Sequence, residues 1–244
     1  MSIADRRGAQ RVVPVFLSYG FRPFFLMGAL WSAAALLIWM VIFSAGGSLP
    51  SRFDPLDWHI HEMLFGFAMA TIAGFLLTAI PSWTGRQPVN GALLALLAVV
   101  WLIGRLVCLI SAFLPSWLAA IGDLAFPALL VWVVAREIAA GRNWRNLPII
   151  GAVTVLGIAN LLMHLEAAGV SVPPGLGWRL GLAAIIVLIS VVGGRIVPSF
   201  TRNWLARRQT ENLPGPPGMI DRAEPAPLEK LPQLIDLADR LERR

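Results

Sequence analysis

Apolar runs recur along this chain, each of about the length needed to cross a bilayer, and short polar turns separate them. A helix rises about 1.5 Å per residue, so a crossing takes about 20 mainly apolar residues. Six segments qualify: 23–45, 58–80, 91–112, 117–139, 147–168 and 178–198. Helix-breaking residues punctuate the gaps, at Gly46-Gly47-Ser48-Leu49-Pro50, from Pro81 to Asn90, at Leu114-Pro115-Ser116, at Gly141-Arg142-Asn143 and at Val172-Pro173-Pro174-Gly175. Trp58, Trp83, Trp117, Trp144, Trp178 and Trp204 fall near segment ends, as an interfacial aromatic belt requires. The pattern predicts an all-α polytopic membrane protein with six transmembrane helices. The first run, Phe24 to Phe43, is too long for a signal-peptide core and reads as an anchor.

Composition agrees. Of 244 residues, 57% are hydrophobic and 14% charged, against about 25% charged in a soluble domain; mean hydropathy is +0.70. The net charge of +6 does not indicate nucleic acid, because the arginines lie between apolar segments and form no basic stripe. Their distribution sets orientation instead. Arg6, Arg7, Arg11, Arg22, Arg86, Arg136, Arg142, Arg145, Arg202, Arg207 and Arg208 fall on one side, and Arg52 and Arg179 on the other. Both termini are therefore expected in the cytoplasm. The expected division is a cytoplasmic segment over 1–22, a transmembrane domain over 23–200 and a polar, Pro-rich cytoplasmic tail over 201–244. That tail contains a linker at Leu213 to Gly218, and apolar residues at helical spacing predict a short amphipathic helix from Pro232 to Arg244. The single cysteine, Cys108, excludes an intrachain disulfide.

On this topology His59, His61 and His164 all lie near the periplasmic face. Imidazole is the commonest metal ligand and also holds haem iron, and an ionisable group at membrane depth is a functional candidate. Helical geometry places His59, Gly66, Ala70 and Gly74 on one face, a small-residue seam for a neighbouring helix. It turns His61 about 200° from His59, so if both are helical they serve different centres, or one of them is an interfacial histidine facing water. Gly157, Asn160 and His164 share a face; His164 then ligates a metal or haem while Asn160 orients a neighbour, or the two fix packing through an interhelical hydrogen bond. Arg105 and Asp123 each lie nine positions from Leu114, at equal depth in an antiparallel hairpin. A structural ion pair is the favoured reading, with Arg105 against an anionic cofactor group such as a haem propionate as the alternative. Arg22 and Arg195 reach headgroups by snorkelling. Glu62 and Glu166 flank the histidines, as proton relays or as solvated groups. No phosphate-cradling glycine loop, nucleophile–base–acid set or pair of catalytic carboxylates is visible.

Three phrases point further: Gly20-Phe21-Arg22-Pro23-Phe24-Phe25, Trp58-His59-Ile60-His61-Glu62-Met63-Leu64-Phe65-Gly66, and Ala73-Gly74-Phe75-Leu76-Leu77-Thr78-Ala79-Ile80-Pro81-Ser82-Trp83-Thr84-Gly85-Arg86. With Gly193-Gly194-Arg195-Ile196-Val197-Pro198-Ser199-Phe200-Thr201-Arg202-Asn203, they resemble the NnrS family in order from about residue 16 to 208. The resemblance implies a multi-pass protein of the bacterial inner membrane containing haem b and copper. It implies a role in the nitric oxide response and resistance to nitrosative stress, often beside denitrification functions. By motif position His59 and His61 would be the family's histidine pair, and His164 a further ligand. Usual members have about twelve spans, so six correspond to about the first half, and the resemblance leaves open a truncated product, a homodimer or a partner chain replacing the remainder. The competing classes are a transporter for a metal or small solute, and a non-catalytic membrane assembly partner.

Overall fold

The computed structural model describes residues 13–208. Among these residues there is no strand, and six helices are long and apolar enough to cross a membrane: α1 Phe21–Ala45, α2 Pro55–Thr84, α3 Gly91–Leu109, α4 Ser116–Ala140, α5 Trp144–Ala167 and α6 Leu176–Arg207. The protein is a multi-pass all-α membrane protein. The chain divides into a unit over 1–188 and a second from 189 onward. Helices α1–α5 and the start of α6 belong to the first; the described part of the second, 189–208, continues α6. The predicted linker at 213–218 and amphipathic helix at 232–244 lie outside the described residues.

Local chemistry explains the helix ends. α1 stops at Gly46 and α2 at Gly85, both at positive φ (64° and 69°), a left-handed conformation open to glycine at no steric cost. α2 starts on Pro55, whose fixed φ suits a first helical position and whose missing N–H costs nothing there. Two predicted boundaries move. α2 begins before Trp58 and continues through Pro81, so His59 and His61 lie within the helix. α6 runs through Pro198 to Arg207, past the predicted end at 198. Trp58 is fully buried and belongs to the core, whereas Trp117, Trp144 and Trp204 are exposed as an interfacial belt requires.

The small-residue seam of α2 receives α1. A methyl group at Gly74 would meet the Phe25 ring at 2.7 Å, one at Gly28 would meet Ala70 at 3.2 Å, and one at Gly66 would meet Trp31 at 3.2 Å. Between its α-helical ends, α2 widens into a π-helical turn over Glu62–Ala68. Such a turn holds one more residue than an α-turn and is common at functional sites. Here it begins at Glu62, directly after His61, and both of these consecutive side chains are fully buried. Trp101 of α3 donates from Nε1 to the Gly66 carbonyl within this segment at 3.1 Å.

α5 and the start of α6 meet backbone to backbone. A methyl group at Gly177 would stand 2.8 Å from the Met163 nitrogen and 2.9 Å from the Ala159 carbonyl oxygen. No rotamer change relieves such a clash, so Gly177→Ala should destabilise the protein by about 1–3 kcal/mol. Gly151→Ala, where nothing lies within 4 Å, should be neutral or gain up to about 1 kcal/mol from helix propensity. Unfolding of both variants in detergent checks this contrast; equal effects would contradict the close α5–α6 approach.

Candidate functional site

One end of the helical unit holds a buried polar cluster. His61 lies near the start of α2, Arg105 and Cys108 near the end of α3, Asp123 near the start of α4, and Asn160 and His164 near the end of α5. Alternating chain direction brings these positions to one depth. His61, Glu62, Arg105, Asp123 and Asn160 are at most 1% exposed, and His164 is 7% exposed.

Arg105 is the hub. One terminal nitrogen donates to Glu62 Oε2 at 2.8 Å and the other to Asp123 Oδ1. The pair expected from equal spacing about Leu114 is present, and Glu62 joins it. Trp31 of α1 donates from Nε1 to the same Glu62 oxygen at 2.6 Å. Asp123 Oδ2 accepts from Asn160 Nδ2 at 2.8 Å and faces His164 Nε2 at 3.0 Å and His61 Nε2 at 3.2 Å. Asn160 and His164 thus share a face, as their spacing predicts, and both address Asp123.

His61 is held at both ring nitrogens. Nδ1 faces Glu62 Oε1 at 3.1 Å, and Nε2 faces Asn160 Oδ1 at 2.8 Å. All its partners are acceptors, because the Asn160 amide nitrogen is committed to Asp123. A doubly protonated ring satisfies both contacts; a neutral ring has one donor and satisfies only one.

The loop before α2 closes the cluster. Phe53 stacks on His61 with ring centroids 4.8 Å apart and meets His164 edge-on at 5.3 Å. Phe53 is fixed because its loop is tied to the turn between α3 and α4. Ser51 Oγ donates to the Cys108 carbonyl at 2.9 Å, the Arg52 amide donates to Ser111 Oγ at 2.9 Å, and the Ala112 amide donates to the Pro50 carbonyl at 3.1 Å.

The structure therefore brings together His61, His164 and Arg105, and places His59 elsewhere. His59 is half-buried and stacks on Trp39 of α1 at 4.5 Å, and its buried Nδ1 has no partner. The pair His59/His61 faces two different directions, as the 200° rotation predicts. Cys108 is the residue that sequence reasoning left aside. One donor atom from each of His61, Cys108, Asp123 and His164 lies within 4.8 Å of the other three. The overlooked signal is the three-residue spacing from Arg105, which puts Cys108 on the same face of α3. Phe53, in a loop, carries no such periodic signal.

The set fits a bare metal ion. With Glu62 and Asp123 ionised, Arg105 balances only one of two buried carboxylates. An unbalanced buried charge is expensive, so the cluster calls for one more positive charge, supplied by a doubly protonated His61 or by a bound cation. Two imidazoles, a thiol and a carboxylate supply the mixed soft and nitrogen donors that copper accepts. Haem does not fit within this cluster, because Phe53 stacks on His61 and meets His164 edge-on, where a macrocycle would have to lie. His59 keeps a buried ring nitrogen without a hydrogen-bond partner and stands apart from this cluster.

Removing Arg105 would leave two carboxylates facing each other in the dry interior. Arg105→Met should cost about 3–5 kcal/mol. Glu62→Gln and Asp123→Asn added to it should restore part of that loss. A thermodynamic cycle in detergent reads the coupling; strictly additive losses would dismiss the shared-guanidinium arrangement.

No curated protein and no solved structure matches the chain. The family model described as NnrS protein matches residues 15–224, most of the chain and every residue of the buried cluster, and the protein belongs to the NnrS family.

Proposed function

We propose that this protein acts in the nitric oxide response of a bacterial inner membrane through a metal centre embedded at the periplasmic end of its helices. Family membership supports the nitric oxide response, and the arginine asymmetry supports the placement. The observation that carries the metal centre is the convergence of four buried donors beside two carboxylates that share one guanidinium.

His61, Cys108, Asp123 and His164 would hold a copper ion, and His59 would help to hold a haem b. Copper or haem, when bound, would supply affinity for a diatomic ligand and one-electron chemistry. The protein's own groups do the rest. Arg105 stays charged at any working pH and fixes Glu62 and Asp123 through its two terminal nitrogens. Asn160 fixes the orientation of Asp123 and its contact with His61. Glu62 accepts a hydrogen bond from His61 Nδ1, so the ligating nitrogen would be Nε2, which would give up its contact with Asn160. Phe53 keeps water from the two rings. Nitric oxide is small and uncharged, so it reaches such a site through lipid without a polar channel. The protein protects by binding nitric oxide or by turning it over.

A second reading follows from the same contacts. A doubly protonated His61 satisfies the cluster without any metal, and the set then works as a packing lock in an assembly partner.

The two readings separate in one experiment. Full-length protein is purified in detergent, copper is quantified, and a reduced-minus-oxidised spectrum is recorded. Near-stoichiometric copper is expected, lost in Cys108→Ser and His164→Ala at retained helicity. His59→Ala is expected to keep copper and lose the haem band. Unchanged copper in both of the first two variants would sink the ligand assignment, and a folded protein without copper or haem would favour the lock.

A further inference from the structure

The opposite end of the first unit carries a site with the reverse charge balance. A pocket of about 520 Å³ opens between the end of α2, the start of α3 and the end of α4, lined by Arg86, Gln87, Asn90, Arg136 and Glu137 among others. That volume lies within the range of small-ligand sites, roughly 300–1,000 Å³. Two guanidiniums share one carboxylate here. Arg86 Nε donates to Glu137 Oε2 at 2.6 Å, and Arg136 donates to Oε1 from Nε at 3.0 Å and from a terminal nitrogen at 2.6 Å. Glu137 is only 4% exposed while the arginines are 45% and 43% exposed. The carboxylate is thus spent inside as an anchor, and one full positive charge remains on the pocket side.

The donors are also incompletely used. Among the described residues Arg86 commits only Nε to Glu137, and its two terminal nitrogens make no further hydrogen bond. The first turn of α3 adds to the field. Asn90 precedes this 19-residue helix without a side-chain cap, and Asn90 and Leu93 line the pocket. The N-terminal end of a helix is positive and presents unpaired amide N–H groups. Arg136 is held over the Trp132 ring at 5.1 Å, which limits its freedom. Asn143 donates to the Trp83 carbonyl, which ties the end of α2 to the turn after α4. Arg136 therefore sits on an anchored helix end, and Arg86 in the short loop that follows α2.

We propose that this pocket is an anion site that holds a phosphate group, with Arg86 and Arg136 as its charged donors. Guanidinium groups match phosphate oxygens in a planar, two-pronged geometry that a lone ammonium lacks. The phosphate comes either from the headgroup of an anionic phospholipid or from a soluble phosphate. Basic pockets between helix ends on the side richer in arginine commonly receive lipid headgroups.

The test uses full-length protein in nanodiscs. The thermal unfolding midpoint is measured in phosphatidylcholine alone, in phosphatidylcholine titrated with inorganic phosphate against chloride at equal ionic strength, and in phosphatidylcholine with increasing phosphatidylglycerol. Each shift is taken relative to the same variant in phosphatidylcholine, so an unstable variant does not mimic lost binding. Saturable stabilisation is expected. Arg86→Gln and Arg136→Gln should each weaken it roughly tenfold, the loss of one charge-assisted contact, while Arg179→Gln leaves it unchanged. Stabilisation by phosphatidylglycerol alone assigns a lipid headgroup. A response to inorganic phosphate alone assigns a soluble ligand, and a response to both assigns a site that reads the phosphate itself. No saturable shift in either titration, or shifts that persist in both Arg86→Gln and Arg136→Gln, would overturn the proposal.

Discussion

A guanidinium shared between two buried carboxylates governs the arrangement of the first unit. Arg105 on α3 reaches Glu62 on α2 and Asp123 on α4, and those two carboxylates collect Trp31 from α1 and Asn160 and His164 from α5. Five helices are thereby tied to one charge. Hydrocarbon gives no partner to a polar group, so each of these side chains is bound to the others or is unsatisfied. Apolar packing between helices is only weakly directional in a membrane, because lipid tails are as apolar as the side chains. The network therefore fixes register and depth, which greasy contact alone does not.

The two ends of the unit are complementary in charge. At one end two buried carboxylates share one guanidinium and face two imidazoles. At the other, two guanidiniums share Glu137 and the surplus is positive and open. Burial decides what each end can meet. A closed cluster with imidazole, thiol and carboxylate donors is compatible with a small cation. An open positive pocket at a helix end suits an anion arriving from the membrane surface.

The π-helical turn of α2 links the two aspects of the metal reading. His61 and Glu62 are adjacent in sequence, yet both are fully buried and both join the cluster. On a regular helix adjacent side chains diverge by about 100°. Glu62 bridges the divergence by bonding to His61 on one oxygen and to Arg105 and Trp31 on the other. Gly66 leaves room for this, since a methyl group there would meet Arg105 at 2.8 Å and Glu62 at 2.9 Å.

The number of helices, their approximate limits, the small-residue seam of α2, the Arg105–Asp123 pair and the common face of Asn160 and His164 were all legible in the chain, whereas packing alone chose α1 as the helix that fills the seam. Each rests on a regular repeat or an equal count from a turn, and hydrocarbon enforces both because it penalises every unpaired polar group. The partition of the histidines followed partly from the same geometry, which sends His59 and His61 to opposite sides of α2. Tertiary structure alone decided that Glu62 shares Arg105, that Cys108 stands among the histidines, that Trp58 is core rather than belt, and that Phe53 covers the site. Those outcomes depend on which helices become neighbours and on how a loop is stitched to a distant turn. Helical periodicity determines the face on which a residue lies; only packing determines what that face meets.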